Sequence, residues 1–320
     1  MAASSASPSP SGVPDSTPPV LGVLGGSGLY ELPGLTDARQ EDLDTPFGRP
    51  SAPVLLGQLG GTRVAFLTRH GKGHRFSPSE VNFRANIHAL KQVGVTRLLS
   101  ISAVGSLREN IVPGDLVLVD QFIDKTHGRS STFFGGGVVG HVSFADPVCP
   151  AWVDVVADAA GAAGVEAASG AAAAPAGHGQ PSHPRLHRSG TYVCMEGPQF
   201  STRAESHLHR AWGAHVIGMT AATEAKLARE AELCFALLAL STDYDCWRTD
   251  EEAVSVESIV AVLNANVARA QAIVVEAARR FAAVRPCRCG RAAEHAIFTA
   301  REAISAEARQ RLRTLYGRYL

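Results

Sequence analysis

The sequence has no excess of charge of either sign: thirty lysines and arginines stand against thirty aspartates and glutamates in 320 residues. A chain without a global field has nothing to draw it to nucleic acid or to an anionic membrane, so any anion it recognises must be met by a local group. It has no apolar run approaching the roughly 20 residues that a membrane helix needs. Residues 1–19 are Ser-, Pro- and Ala-rich, with neither a basic start nor the apolar stretch of a secretory signal. They lack the hydrophobicity to fold, so a disordered tail is expected there, on a cytoplasmic protein. The six cysteines, at 149, 194, 234, 246, 287 and 289, show no metal-ligand spacing. Cys287-Arg-Cys289 is the single close pair, and no second pair or neighbouring histidine completes a zinc pattern. Reduced, mostly buried thiols and no metal are the expectation.

What is present is ample core: 45% of the residues are hydrophobic, enough for one large α/β domain from residue 20 to 320. Short apolar runs recur along it, and each stops in polar residues. Val20–Leu24 reads as a buried strand and runs into Gly25-Gly-Ser-Gly28, a turn that can offer backbone N–H groups and the Ser27 hydroxyl to an anion. It is not the G-x-G-x-x-G of a dinucleotide site, and no acidic residue follows at the required distance. Residues 53–59 and 63–67 predict a hairpin through Gly60-Gly61, ending in Thr68-Arg69-His70. His70 and His74 lie in a Gly/Lys loop, which does not present them as metal ligands. The period over 79–93 predicts a helix, 97–104 a strand ending near Ser102, and 115–122 another strand after the turn Pro113-Gly114.

A long loop, 123–150, carries His141, and an Ala-rich helix is expected over 151–164. Residues 167–188 are a low-complexity stretch of Ala, Gly, Pro and His, read as a flexible surface insertion. Thr191–Met195 is a strand ending in Glu196, and Ser201 opens a helix with Glu205 in its first turn. Val216–Gly218 is a short strand before Met219-Thr220. A helix over 222–231 leads to the strand from Cys234 to Leu240, which stops at Asp243-Tyr-Asp245. A long amphipathic helix over 255–283 and a last one near 305–315 close the chain.

Ligands of open α/β sheets bind beyond the carboxyl ends of the strands. A single α/β domain with a central mixed, largely parallel, twisted sheet flanked by helices would gather Ser27, Arg69, His70, Ser102, Glu196, Thr220, Asp243 and Asp245 on one face. An arginine fork, hydroxyls and a Gly-rich turn suit one phosphate. Two carboxylates suit the donors of a purine, its 6-amino group and a protonated N7, while Phe200 and Met219 can line the flat faces of base and sugar. An anion site beside a base site points to phosphorolysis of an N-glycosidic bond.

On these residues the chain resembles the S-methyl-5′-thioadenosine phosphorylases of the trimeric purine nucleoside phosphorylase family. The likeness runs from about residue 20 to 285. It is carried by G-G-S-G-L at 25–29, D-T-P-F-G-R-P-S at 44–51, R-H-G at 69–71, N-F-R-A-N-I at 82–87, S-A-V-G-S-L-R at 102–108, E-G-P-Q-F-S-T-R-A-E at 196–205, G-M-T at 218–220 and T-D-Y-D-C-W at 242–247. The resemblance implies a phosphate site of Ser27, Arg69, His70, Ser102, Ala103 and Thr220, with serines at 27 and 102 where relatives often carry threonine. It implies nucleoside contacts from Phe200 and Met219, and acid–base and base-reading roles for Asp243 and Asp245. It assigns substrate specificity to Ser201, Val256 and His141, the last reaching a neighbouring subunit in a homotrimer with shared sites. Inorganic phosphate is then a co-substrate and no cofactor is required, in a reaction of purine and methionine salvage. The rival substrates are 6-oxopurine nucleosides, including 5′-methylthioinosine. Two ionised acids facing a carbonyl oxygen would leave acceptors unpaired, so the pair of aspartates favours a 6-aminopurine. A hydrolytic nucleosidase would not need the anion cradle, and a redox or purely structural module fits neither feature.

Overall fold

The apolar runs among the described residues become strands and helix faces in the computed structural model, which describes residues 18–168, 184–248 and 256–320, with the backbone alone for 256–260. In chain order these are β1 (Val20–Gly25), β2 (Thr36–Glu41), β3 (Val54–Leu59), β4 (Thr62–Thr68), α1 (Phe83–Gln92), β5 (Val95–Ser106), β6 (Leu116–Val119), β7 (Gln121–Asp124), α2 (Pro150–Ala162), β8 (Glu166–Ala167) and β9 (Arg185–His187). There follow β10 (Thr191–Cys194), α3 (Arg203–Ala211), β11 (Val216–Gly218), α4 (Ala221–Glu230), β12 (Cys234–Asp243), α5 (Val256–Arg279) and α6 (Ala306–Tyr316). The strands join into one sheet in the order β2-β3-β4-β1-β5-β12-β6-β9-β8. β11 branches from β5, and β10 links β11 to β7. Seven of the eleven pairings among the described residues are parallel, which makes the sheet mixed and largely parallel as expected.

β12 shows why its sequence is an unbroken apolar run. Phe235, Leu237 and Ala239 point to one face, into a core shared with Ile87 of α1, Leu227 of α4 and Leu312 of α6. Cys234, Ala236, Leu238 and Leu240 point to the other, against Trp152 of α2 and Ile273 and Val274 of α5. A strand covered on both faces has no polar side to show.

Several boundaries differ from the sequence expectation. The single strand expected over 115–122 is two, because the chain changes partner at Asp120: Val119 pairs with Leu237 of β12, whereas Gln121 pairs with Thr191 of β10. Asp120 holds the break by accepting from the Gly190 N–H, 3.1 Å away. The first helix begins at Phe83 rather than 79, since Asn82 caps it by accepting from the Ala85 N–H at 3.1 Å. In α3 the cap is Thr202, not Ser201, and Thr202 with Glu205 forms a complete capping box. β2, T-D-A-R-Q-E, was missed altogether; it is an almost wholly exposed edge strand whose charges leave no apolar alternation to read.

The stretch 167–188 is not uniformly an insertion. Ala167 lies in β8 and Arg185–His187 form β9 in the sheet; residues 169–183, like 1–17, fall outside the described residues. β9 is pinned by a buried carboxylate. Asp115 accepts from the Val112 N–H (3.2 Å), the Arg185 N–H (3.0 Å), Arg185 Nη2 (2.8 Å) and His187 Nε2 (2.9 Å). Burial alone would raise its pKa, but the bonds from His187 and Arg185 outweigh it and hold the carboxyl below its ordinary value. A depressed carboxylate contributes stability that is complete at neutral pH and is lost as pH falls from the ordinary aspartate range through the lower folded value. Asp115→Ala should therefore cost about 3 kcal/mol at pH 7. Urea melts of both proteins should show that difference shrinking as pH is lowered past 4 or so, and a pH-independent gap would refute the assignment.

Candidate active site

Four neighbouring strands, β4, β1, β5 and β12, are mutually parallel, so their carboxyl ends leave the sheet on one edge. Gly25 is level with Thr68, Leu24 with Ser100, Leu240 with Ala103 and Asp243 with Gly105. That register alone gathers Ser27, Arg69, His70, Ser102, Ala103 and Asp243. Thr220 arrives differently. β11 runs antiparallel to the far end of β5, pairing Val216 with Ser106 and Ile217 with Gly105, so Met219 and Thr220 continue back along β5 toward Ala103 and Ser102. The long β5 thus collects strand ends from both directions.

Arg69 is the best-held charge of the site. Its side chain is 1% exposed and that of its partner Glu224, in the first turn of α4, is 0% exposed. Nε donates to Glu224 Oε1, Nη2 to Glu224 Oε2 (3.1 Å) and Ser100 Oγ (2.8 Å), and Nη1 to the Ile101 carbonyl (3.0 Å). Ser100 in turn donates to Glu224 Oε2 at 2.7 Å. These bonds engage four of the five guanidinium donors; the fifth is on Nη1, against the Gly25–Ser27 turn. A methyl on Gly26 would lie 2.5 Å from the Ile101 carbonyl oxygen and 2.7 Å from Nη1. Glycine is what lets the turn close over the guanidinium. Sequence reading did not find Glu224, since an acid in a helix's first turn is explained already by the helix dipole.

His70, 6% exposed, places Nδ1 2.8 Å from the Phe76 carbonyl. A carbonyl only accepts, so Nδ1 carries the proton and Nε2 is left as an acceptor. Burial, and then the Arg69 charge beside it, lower its pKa to about 4, and the ring is neutral at pH 7. The rings of His70 and His74 stack at 4.3 Å, face to face rather than with nitrogens converging on a point. Thr220 stands at the N-cap of α4 with its hydroxyl making no capping bond, at the positive end of a ten-residue helix.

At the other side stand the acids. Asp243 Oδ2 accepts from Thr242 Oγ1 (2.7 Å) and Oδ1 from the Asp245 N–H (2.8 Å). Its pKa is raised, by burial first and by the Asp245 charge, against the two hydrogen bonds. Asp245 is raised too, chiefly by burial. It sits at φ +46, and its Oδ2 is buried without a hydrogen-bond partner among the described residues. Strain and an orphan acceptor together mark a group held for something other than stability. Gly105 makes room for the pair: a methyl there would lie 3.1 Å from Asp243 Oδ1 and 3.3 Å from Asp245 Cβ.

Other expected residues are placed unevenly. Ser201 adjoins the acidic loop, its carbonyl accepting from Cys246 Sγ at 3.2 Å. Met219 is half-buried behind Gly197, where a methyl would meet its sulfur at 2.5 Å. Phe200 is 84% exposed and packs into no core among the described residues. His141 is exposed as well, edge-on to Phe298 at 5.3 Å. Val256 is the first residue of α5, and its side chain lies outside the described residues. Glu196 is a clamp. It accepts from Ser79 Oγ, the His127 N–H (2.7 Å) and Arg129 Nε (3.3 Å), and these donors overcome the effect of burial and push its pKa down to about 2. Arg129, itself buried, also donates to the carbonyls of Glu196 and Met219 and so fixes the approach to Thr220.

The chain belongs to the phosphorylase superfamily, whose family profile matches residues 20–279. Within it the chain is 52% identical over 302 residues to the S-methyl-5′-thioadenosine phosphorylase of Geobacter sulfurreducens, covering 94% of this chain and 99% of that protein. It is 51% identical over 299 residues to the enzyme of the same name from Koribacter versatilis, covering 93% and 96%. Among solved structures, a methylthioadenosine phosphorylase from an antarctic soil metagenomic library superposes with a TM-score of 0.84 at 46% identity, over 93% of this chain and 99% of that one. A mutant adenosine/methylthioadenosine phosphorylase from Schistosoma mansoni in complex with methylthioadenosine gives 0.76 at 36% identity, over 83% and 92%.

Removing Glu224 strands the buried Arg69 charge. Glu224→Ala should lower stability by about 3–5 kcal/mol in urea unfolding at pH 7, while Arg69→Met with Glu224→Leu together should recover much of that loss. A single-mutant cost below about 1 kcal/mol would mean that Arg69 reaches solvent for its charge.

Proposed function

We propose that the chain catalyses phosphorolysis of the N-glycosidic bond of S-methyl-5′-thioadenosine, giving adenine and 5-methylthioribose 1-phosphate. The observation that carries this reading is one edge of the sheet where a fixed guanidinium and two hydroxyl-bearing turns face two carboxyls whose pKa values are raised. Phosphate would be held by Ser27, Arg69, His70, Ser102, Ala103 and Thr220. A neutral His70 with a free Nε2 lone pair suits a phosphate that still carries a proton, and the N-terminus of α4 adds its dipole.

As the C1′–N9 bond stretches, positive charge grows on the sugar, and a phosphate anion fixed on the opposite face stabilises it. Asp243, kept protonated to a higher pH than an ordinary carboxyl, gives its proton to N7 so that adenine leaves as a neutral base. Phosphate oxygen then bonds to C1′ with inversion. Asp245 reads the 6-amino group, whose N–H would supply the donor that Oδ2 lacks. Met219 contacts the ribose and Phe200 the nucleoside; Ser201, Val256 and His141 set the preference at the 5′ position. Inorganic phosphate is the co-substrate, and the chemistry asks for no metal or organic cofactor.

The reading includes a cytoplasmic homotrimer with shared sites. In support, Val139, Phe200 and Phe298 are exposed apolar side chains, and His141 lies against Phe298, the kind of surface a neighbouring subunit covers. No helix of the described residues is long and apolar enough to cross a membrane.

The test is release of free base from 5′-methylthioadenosine, 5′-methylthioinosine and inosine, with and without phosphate. Adenine release should require phosphate and fall about 10²–10⁴-fold in Asp243→Asn, and kcat should decline as pH rises through the raised Asp243 value. Hypoxanthine release of equal efficiency would overturn the role given to the acids, and release without phosphate would overturn the anion site.

A further inference from the structure

The fold brings together four cysteines that the sequence keeps apart. Cys149, Cys234, Cys287 and Cys289 place all their Sγ atoms within 4.8 Å of one another, with Cys234 and Cys287 at 3.3 Å. The close pair Cys287-Arg-Cys289 therefore has its second pair in space, at positions 149 and 234, where sequence spacing gave no sign of it. We propose that these four side chains bind one thiophilic divalent cation, zinc, in a closed tetrahedral site.

Geometry is the first support. A zinc–sulfur bond of about 2.3 Å gives a tetrahedron with an edge of about 3.8 Å, and six sulfur–sulfur separations all below 4.8 Å, one of them 3.3 Å, bring the four sulfurs to the size of such a figure. Two disulfides would instead split the set into two pairs, each about 2 Å apart. The ligands also come from well-anchored backbone. Cys149 is the N-cap of α2 and its N–H donates to the Phe235 carbonyl at 2.8 Å; its side chain makes no capping bond. Cys234 is the first residue of β12, and Cys289 opens a 3-10 turn, Cys289–Arg291. Three of the four are buried and Cys287 is exposed, which leaves an entry path.

Charge is the second support. Four thiolates around a divalent ion carry a net charge of minus two, and the neighbourhood is basic. Arg229 Nη1 lies 3.9 Å from Cys289 Sγ, Arg97 is the strand partner of Cys234, and Cys149 sits at the positive end of α2. In the loop Arg285-Pro-Cys-Arg-Cys-Gly-Arg291, Arg285 is paired with Asp154 at 2.9 Å and Arg291 with Glu294 at 3.2 Å, so the nearby charge rests on Arg229 and Arg97.

The ion would be structural. Four sulfurs leave no open position for substrate, and Cys234 stands at the opposite end of β12 from Asp243, about 30 Å away at the usual rise per strand residue. What it would join is the segment between α5 and α6 to the body of the sheet. That segment holds only 3-10 turns of regular structure and contributes few large apolar side chains, so a metal clip replaces core it does not have.

The full-length protein, made without a histidine tag in zinc-supplemented cells and kept reduced, should carry about one zinc per chain by elemental analysis, and X-ray absorption should find four sulfurs at about 2.3 Å. Titration of its thiols with a mercurial should release the zinc in step with modification. Cobalt(II) added to the stripped protein should give the strong visible bands of a tetrahedral thiolate site. Cys287→Ser, at the exposed ligand, should lose most of the metal and melt lower by about 5 °C or more, with base release below the transition unchanged. A reduced chain that takes up neither zinc nor cobalt, a native mass showing the four sulfurs oxidised to disulfides, or a Cys287→Ser variant that keeps its metal in full would each overturn the proposal.

Discussion

The Arg69–Glu224 pair is the constraint on which the catalytic edge depends. Taking a guanidinium and a carboxylate out of water costs several kcal/mol for each ion, and attraction offsets this only when geometry is good and the remaining donors are satisfied. Here Ser100 and the Ile101 carbonyl satisfy them, so the pair is locked to β5. Because Glu224 lies one turn into α4, the same bond fixes the start of that helix and with it Thr220. Because Nη1 abuts Gly26, it also fixes the Gly25–Ser27 turn. Three segments far apart in sequence are thus held by one fork.

The surroundings of that fork keep the other titratable groups in complementary states. His70, next to the fixed positive charge and buried, is neutral and can only accept at Nε2. Asp243 and Asp245, buried and next to each other, are both pushed toward the neutral acid. One edge of the sheet therefore carries a buried ion pair, a neutral histidine and two carboxyls whose pKa values are raised. Glu196, the third acid of the strand ends, is tuned in the opposite direction, and its low pKa suits a clamp that must stay ionised.

Much of this was legible in the sequence because buried parallel strands are short apolar runs, and their ends are where polar residues reappear. Ser27, Arg69, His70, Ser102, Thr220 and Asp243 were singled out that way, and register alone carries most of them to one place. What was not legible has physical causes of two kinds. Glu224, Arg129 and Cys234 beside Cys287 act through contacts between residues 53 to 155 positions apart, for which no local pattern exists. β2 and the break at Asp120 leave no hydrophobic signature, the one because an edge strand is solvated and the other because the chain swaps partners without leaving the core. Phe200 shows the converse: an aromatic in a motif reads as pocket lining, yet in the single chain it is surface.

β12 joins the two halves of the argument. Its carboxyl end presents the acids, and its first residue, Cys234, meets Cys149, Cys287 and Cys289. Between them lie residues buried on both faces, wedged between the helices of two separate cores. A strand so enclosed cannot slide by one residue without turning every side chain to the wrong face. The raised pKa values of Asp243 and Asp245 depend on burial, and burial at a strand end depends on the strand staying in register. Burial of the acids at one end of β12 is in this sense conditional on the packing of both faces of the strand.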